Sequence, residues 1–356
     1  MAARADSIMA SPLPPADGEV RARLSSNENP YGPSERARRA ILDAMSEGCR
    51  YPGQQYRKLE ELIAKKEGLT PEQVVISAGS GEILRMTAMA YGLQGGELMT
   101  AHPTYEGMEG AARTINAFVH RVPLNEKLEH DLDAMDRQLT QAIRLVFVCN
   151  PNNPTGTIVA GDRLRTFCKE ASRRSVILVD EAYYEYVEAP EYASMLDLVR
   201  QGHNVIVSRT FSKIHGLAGL RVGYGLARPD IAARLRPFRS SLSVNMLGVH
   251  AAIASYQDTE FQDFSRRKNA EARSYLCRVL DEMGLRCAPS HTNFVFFRLG
   301  RDVQPFREAM QKRGILLGRL FPPYTDWCRV STGTMDELKI FAAALRELAN
   351  ENAGNQ

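Results

Sequence analysis

A single lysine, Lys213, sits between Ser212 and a run of small residues that includes Gly216 and Gly219, and Arg221 follows eight positions later. An amine that is desolvated near a fixed cation holds its proton less tightly, which suits Schiff-base chemistry. Read alone, such a lysine is usually a surface charge, and Arg221 could also be a fork that binds a phosphate through two nitrogens. The segment Phe211 to Gly225 is too glycine-rich for a helix and too basic for a buried strand. Three more polar signals stand beside it. Ala78 to Glu82 is a glycine-bearing turn ahead of a helical stretch, where backbone N–H groups can approach an anion. Pro151 to Gly156 carries two prolines and a glycine around Asn152 and Asn153, a backbone stiff enough to hold a side-chain amide against a ligand. Asp180 closes the apolar run Val176 to Val179, as a helix N-cap or as a ligand group, with Tyr183 three residues on.

The elements that must position these residues are legible in outline. Short apolar runs at 74–76, 145–148, 176–179 and 204–207 suit strands buried on both faces of a parallel sheet. Each of three of the polar signals, at Ala78, Pro151 and Asp180, falls at or just after one of these runs, where an open α/β sheet binds ligands. Lys58 to Gly68 has a helical apolar face and a glycine stop, and Leu164 to Arg174 is a helix-sized crossover between two strands. After about Val244 the pattern changes. A long helix is expected over 260–283 with Gly284 as its stop, then strands at 293–297, 315–317 and 327–330. A last helix opens on the capping-box sequence Thr334 to Glu337 and runs to Leu348. The expected organisation is an N-terminal arm over 1–23, a large α/β unit over 24–243 and a smaller α+β unit over 244–356.

Bulk properties exclude several classes. With 356 residues the chain is long enough for two packed units. Its 45 basic and 42 acidic side chains balance too closely for nucleic acid to be the main partner. The short basic cluster Arg36, Arg38 and Arg39 reads as a solvated helix face. Six scattered cysteines without a Cys-x-x-Cys pair point to reduced thiols of a cytoplasmic protein, and seven histidines without ligand spacing point away from a metal site. No apolar run reaches the ~18 residues of a membrane span. The segment before Gly18 lacks the apolar core of a signal peptide.

Taken together, these motifs resemble the fold-type-I pyridoxal-phosphate aminotransferases, and among them the histidinol-phosphate aminotransferase family. The markers stand in the family's order: Leu24 to Ser34, Arg50 to Pro52, Ala78 to Gly81, Pro103 to Tyr105, Pro151 to Gly156, Asp180 to Tyr183, Ser212 with Lys213, and Arg329 to Gly333. The resemblance implies a large α/β domain with a mostly parallel central sheet and a smaller α+β domain. It implies that Lys213 joins the cofactor aldehyde and then shuttles a proton, that Asp180 keeps the pyridine nitrogen protonated, and that Asn153 and Tyr183 bond the phenolic oxygen. Tyr105 would stack on the ring. Ser80, Gly81, Ser212 and Arg221 would hold the phosphate, with Tyr51 reaching it from the neighbouring subunit of a homodimer with shared sites. Arg329 would bind the acidic end of the substrate, and Asn27 and Tyr31 would cover the pocket. One position departs from the pattern: where the family tends to place a second arginine directly after the strand at 315–317, this chain has Gly318, with Arg319 one residue later.

The activity so implied is a ping-pong exchange of an amino group between an amino acid or histidinol phosphate and a 2-oxo acid, in the setting of histidine biosynthesis. Within the same fold, an aromatic or other amino-acid aminotransferase and a decarboxylase of a phosphorylated amino acid remain open. A non-catalytic regulator of this fold would commonly add a DNA-binding segment, for which there is no room before Leu24. A nicotinamide dehydrogenase would need a Gly-x-Gly-x-x-Gly opening its first βαβ unit, and none stands there.

Overall fold

The computed structural model describes residues 19–353, so most of the expected N-terminal arm lies outside the described residues. Its strands are β1 (Ala22–Leu24), β2 (Val74–Ser77), β3 (Glu97–His102), β4 (Val119–Pro123), β5 (Ile143–Cys149), β6 (Val176–Asp180), β7 (Val205–Thr210), β8 (Gly223–Leu226), β9 (Phe294–Arg298), β10 (Ile315–Leu317) and β11 (Trp327–Ser331). Seven of them form one sheet in the order β2-β8-β7-β6-β5-β3-β4, in which β8 runs against the other six. Helices cover both faces, and the apolar side chains divide into one cluster on each side of the sheet. This is the α/β architecture with a mostly parallel sheet that the apolar runs imply. Three of the four runs fall inside strands and the fourth, 204–207, enters β7 at Val205, because residues buried on both faces leave no polar alternation.

Three strands of the sheet escape that rule. Strand β3 contains Thr100 as its one β-branched residue, and β4 is an edge strand whose side chains are largely accessible. Strand β8 corrects the reading of the segment Phe211–Gly225, whose end is a fully buried strand after all. Its glycines are there for close approach rather than for flexibility. A Cβ on Gly223 would stand 2.5 Å from the backbone of Gly79 and Ser80, and one on Gly225 would press 3.1 Å from Ile83. The glycines of β8 therefore let the anion-binding turn lie directly against the sheet.

A second apolar cluster is built around the long helix Thr259–Glu282, the helices Val303–Lys312 and Met335–Ala353, the antiparallel pair β9–β11 and the parallel pair β1–β10. Gly284, at φ +69°, ends the long helix as its sequence implies. Thr334 and Glu337 cap the last helix reciprocally, the Thr334 N–H donating to the carboxylate at 2.8 Å and the Glu337 N–H to the hydroxyl at 3.3 Å. The helix Met246–Tyr256, which the expected division at 243/244 put in the second unit, instead packs against the helices Glu35–Asp43 and Gly53–Glu67. Val249, Ala251, Ala252 and Tyr256 bury their side chains in the core of the sheet, so packing joins this helix to the larger body.

Gly223→Ala tests the close approach. Overpacking of this kind costs about 1–3 kcal/mol, so the variant is expected to unfold at lower urea than the parent, whereas Gly219→Ala, in open space, is expected to be nearly neutral.

Candidate active site

The C-terminal ends of β5, β6 and β7 deliver Cys149, Asp180 and Thr210 to one cavity of about 360 Å³, which Lys213, Ser212 and Arg221 enter from the loop after β7. The second cluster closes it from the other side with Asn27, Arg319 and Arg329. Sheet ends and a facing lobe thus make a cleft where polar groups converge.

Lys213 is part-buried in the wall, its Nζ donating to the carbonyl of Asn27 at 2.9 Å. Burial pushes its ammonium down to about 7, the guanidinium of Arg329 adds to the fall, and Glu28 opposes it. Asp180 is buried at the end of β6, and its Oδ1 has no hydrogen-bond partner among the described residues. Burial raises this carboxyl to about 7. Tyr183 is buried edge-on against Phe294, ring centroids 5.3 Å apart, and its hydroxyl accepts from Asn27 Nδ2 at 3.1 Å. That leaves the phenolic proton free to be donated.

The turn after β2 makes an anion cradle. The helix Ser80–Gly92 begins there with Gly79, at φ +79°, as its N-cap and no side-chain cap, so its first N–H groups are unclaimed by the helix. Arg221, held at φ +53°, donates to Ser212 Oγ at 3.1 Å and to the Ala78 carbonyl at 3.2 Å. A Cβ on Gly79 would overlap the Arg221 guanidinium. Ser80, Gly81, Ser212 and Arg221 all line the same cavity.

At the opposite wall Arg329, on β11, donates to Asn153 Oδ1 at 2.6 Å and to the Ser25 carbonyl at 2.7 Å, with its Nε unpartnered among the described residues. Arg319 pairs with Glu106 at 2.9 Å. Both guanidiniums lie over the ring of Phe321, at 4.4 Å for Arg319 and 4.9 Å for Arg329. The one-residue displacement of Arg319 thus still delivers its charge to the cavity. Burial lowers Arg329 to about 10, and the Arg319 charge adds to that fall.

Of the residues expected at the site, Lys213, Asp180, Tyr183, Ser80, Gly81, Tyr105, Asn153, Ser212, Arg221, Arg329, Arg319 and Asn27 all line this cavity. Two do not. Tyr31 lies edge-on against Phe264 and lines a separate small crevice beside Asn29 and Tyr186. Tyr51 is 78% exposed on the outer surface. Of the two adjacent amides, Asn153 faces the cavity, but Asn152 is spent inside the loop, donating to Thr155 at 2.9 Å and accepting from Thr104 at 2.7 Å. Sequence reasoning missed Glu106, whose one signal is its place directly after Tyr105. It also missed the buried ion triad behind the site, where Arg209 pairs with Glu181 at 2.9 Å and Glu67 at 3.0 Å. Glu181 and Arg209 sit next to Asp180 and Thr210, so the triad ties the ends of β6 and β7 together.

An easily deprotonated lysine, a buried carboxylate with one unpartnered oxygen in the same cavity and a turn suited to an anion match the three groups of pyridoxal phosphate: its aldehyde, its ring nitrogen and its phosphate. Fold and site together define an enzyme of the pyridoxal-phosphate type. Residues 21–345 match the model of the family "Aminotransferase class I and II". The histidinol-phosphate aminotransferase of Moorella thermoacetica is 42% identical over 330 residues, covering 92% of this chain and 85% of that protein. That of Halalkalibacterium halodurans is 33% identical, covering 95% and 92%. The crystal structure of histidinol-phosphate aminotransferase from Sinorhizobium meliloti in complex with pyridoxal-5'-phosphate superposes with a TM-score of 0.85 at 28% identity, covering 93% of this chain and 91% of that one. The chain belongs to the class I and II aminotransferases, and it is a pyridoxal-phosphate-dependent aminotransferase.

Two outcomes follow for the protein prepared without cofactor. Acylation of Lys213, followed by peptide mass spectrometry, is expected to show a midpoint near pH 7, about three units below exposed lysines. Asp180 holds its proton more tightly folded than unfolded, so its contribution to stability is lost as pH rises from about 4 through about 7. The melting temperature of the parent is therefore expected to fall between pH 5 and pH 8 by more than that of Asp180→Asn; equal falls would contradict the raised carboxyl.

Proposed function

We propose that the enzyme exchanges an amino group between histidinol phosphate and a 2-oxo acid. The observation that carries this reading is the pair of guanidiniums, Arg319 and Arg329, that lie over the ring of Phe321 and line the cavity holding Lys213, with Arg319 exchanging its partner Glu106 for the substrate. A carboxylate needs one such fork, whereas a phosphate dianion is matched by two. The names of the relatives support the same substrate.

Bound pyridoxal phosphate would act as the electron sink for the substrate carbon that loses a proton. Ser80, Gly81, Ser212 and Arg221 would hold its phosphate, and Tyr105 would cover its ring. Asp180 would accept a hydrogen bond from the ring nitrogen through the oxygen that is unpartnered. Tyr183 would donate its free phenolic proton to the ring oxygen, and Asn153 would offer its Nδ2, because its Oδ1 is engaged by Arg329. Lys213, with a proton affinity near neutrality, is suited both to take a proton from the substrate carbon and to return it. Asn27 would hold Tyr183 in place rather than touch substrate.

A homodimer with shared sites is part of this reading. Tyr51 lies on the same exposed stretch as Leu42 and Met45, which are 70% and 57% exposed. Large apolar side chains so placed are suited to an interface, from which Tyr51 would reach the partner's phosphate. A cytoplasmic location is supported by six free thiols; among the described residues no helix is long and apolar enough to cross a membrane.

Steady-state kinetics across histidinol phosphate, histidinol, glutamate and aromatic amino acids test the substrate. The highest kcat/KM is expected for histidinol phosphate. Arg319→Ala is expected to raise its KM about tenfold or more, as loss of one charged contact does, with little effect on histidinol. A higher kcat/KM for an aromatic amino acid would assign the enzyme to that substrate instead. Light scattering is expected to give twice the chain mass.

A further inference from the structure

The strands that end in the active-site cavity begin in another one. Arg144 on β5, Val176 on β6 and Asn204 just before β7 line a second cavity, of about 410 Å³, at the opposite end of the sheet. Strand β6 has Val176 in this cavity and Asp180 in the other. Four steps along the strand separate them by about 13 Å.

Five arginines and one carboxylate line the second cavity. Asp230 is spent on Arg228, which grips it through Nε at 2.6 Å and Nη2 at 2.8 Å. Arg174 is paired with Asp136 at 2.5 Å, and Arg173 with Glu170 at 2.9 Å. Two positive charges are left over. Arg234 is held in place without being neutralised: it donates to the Ala90 carbonyl at 2.9 Å and lies 4.7 Å over the ring of Tyr91. The guanidinium of Arg144 is exposed and has no ion-pair or hydrogen-bond partner among the described residues. Gly96 brings the neighbouring turn against this wall, since a Cβ there would overlap the Tyr91 carbonyl.

We infer that this cavity binds a small phosphomonoester, with Arg144 and Arg234 as the ligands of its phosphate. A phosphomonoester is close to a dianion at neutral pH and so matches the two uncompensated charges. Each guanidinium offers two parallel N–H groups to phosphate oxygens. At about 410 Å³ the cavity has room for an organic group attached to the phosphate. Neither arginine belongs to the site that carries the chemistry, and the two cavities share no lining residue.

The test is isothermal titration of the cofactor-loaded enzyme, whose phosphate cradle is then filled. Adenosine 5'-monophosphate, inorganic phosphate and adenosine serve as probes at about 0.15 M salt, where loose surface attraction is screened. The monophosphate is expected to bind, inorganic phosphate to displace it, and adenosine to give no heat. Arg144→Glu, an exposed position that leaves the fold intact, is expected to weaken the monophosphate about tenfold or more while the cofactor absorbance and the turnover at saturating substrate stay unchanged. Arg234→Lys, which keeps the charge and loses the fork, is expected to weaken it less. Absence of binding, binding that inorganic phosphate does not displace, equal binding of adenosine, or an affinity untouched by Arg144→Glu would each overturn the inference.

Discussion

Two groups that water would keep charged, the Lys213 ammonium and the Asp180 carboxyl, share one cavity that drives both toward neutrality, each to about 7. Burial is the leading cause for both, and the charge of each residue opposes the other's shift without cancelling it. A chain that buries such groups without pairing them directly loses stability. The cost makes sense only if a ligand offers each its missing partner, an aldehyde for the amine and a ring N–H for the carboxylate. The cofactor chemistry of the family is in this way written into the protonation of two side chains.

The rest of the large body can be read as the means of keeping those two groups in register. Asp180 and Thr210 close neighbouring parallel strands, and the next residue along one and the preceding residue along the other, Glu181 and Arg209, are bonded to each other on the far side. Buried ion pairs of this kind add little net stability against apolar packing, but breaking one is expensive. They therefore fix the relative position of strand ends better than a greasy contact would. Glycines do the complementary work in front of the sheet. Gly223 admits the Gly79–Ser80 backbone, and Gly79 admits the Arg221 guanidinium. A side chain at either position would move the cradle away from Lys213.

Legibility followed burial. The strands β2, β5, β6 and β7 were readable because both of their faces are covered, which leaves an unbroken apolar run. The strand β8 was not, because its residues were chosen by what presses on them, and a Gly-Tyr-Gly-Leu sequence carries no β signal of its own. Helix Met246–Tyr256 was assigned to the wrong neighbour since its composition is apolar nearly all round and does not say which body it faces. At the site, motif order picked out the residues on the sheet side almost completely. It put Tyr31 at the pocket because it reads chain proximity: Asn27 does line the cavity, and four residues later the chain has already turned away toward Phe264. Glu106 and the Arg209 triad went unread because ordinary charged residues become informative only when their partners, distant in sequence, are known.

The two bodies divide the chemistry. Groups suited to the cofactor come from the sheet and its loops, whereas Arg329 on β11, Arg319 after β10 and Asn27 after β1 come from elements of the second core. Arg329 nonetheless reaches across to Asn153 at 2.6 Å, and Asn27 to Tyr183 at 3.1 Å. Each of these bonds joins a residue carried by the second core to one carried by the sheet. An acidic group entering the cavity at Arg329 would compete with the Asn153 carbonyl for the same guanidinium, and a charge-assisted acceptor is the stronger of the two. Asn153 would then lose the guanidinium that holds its Oδ1. The Asn153 amide is thus a direct link between the two walls of the cavity, and the stiff proline-rich loop that carries it keeps that link local.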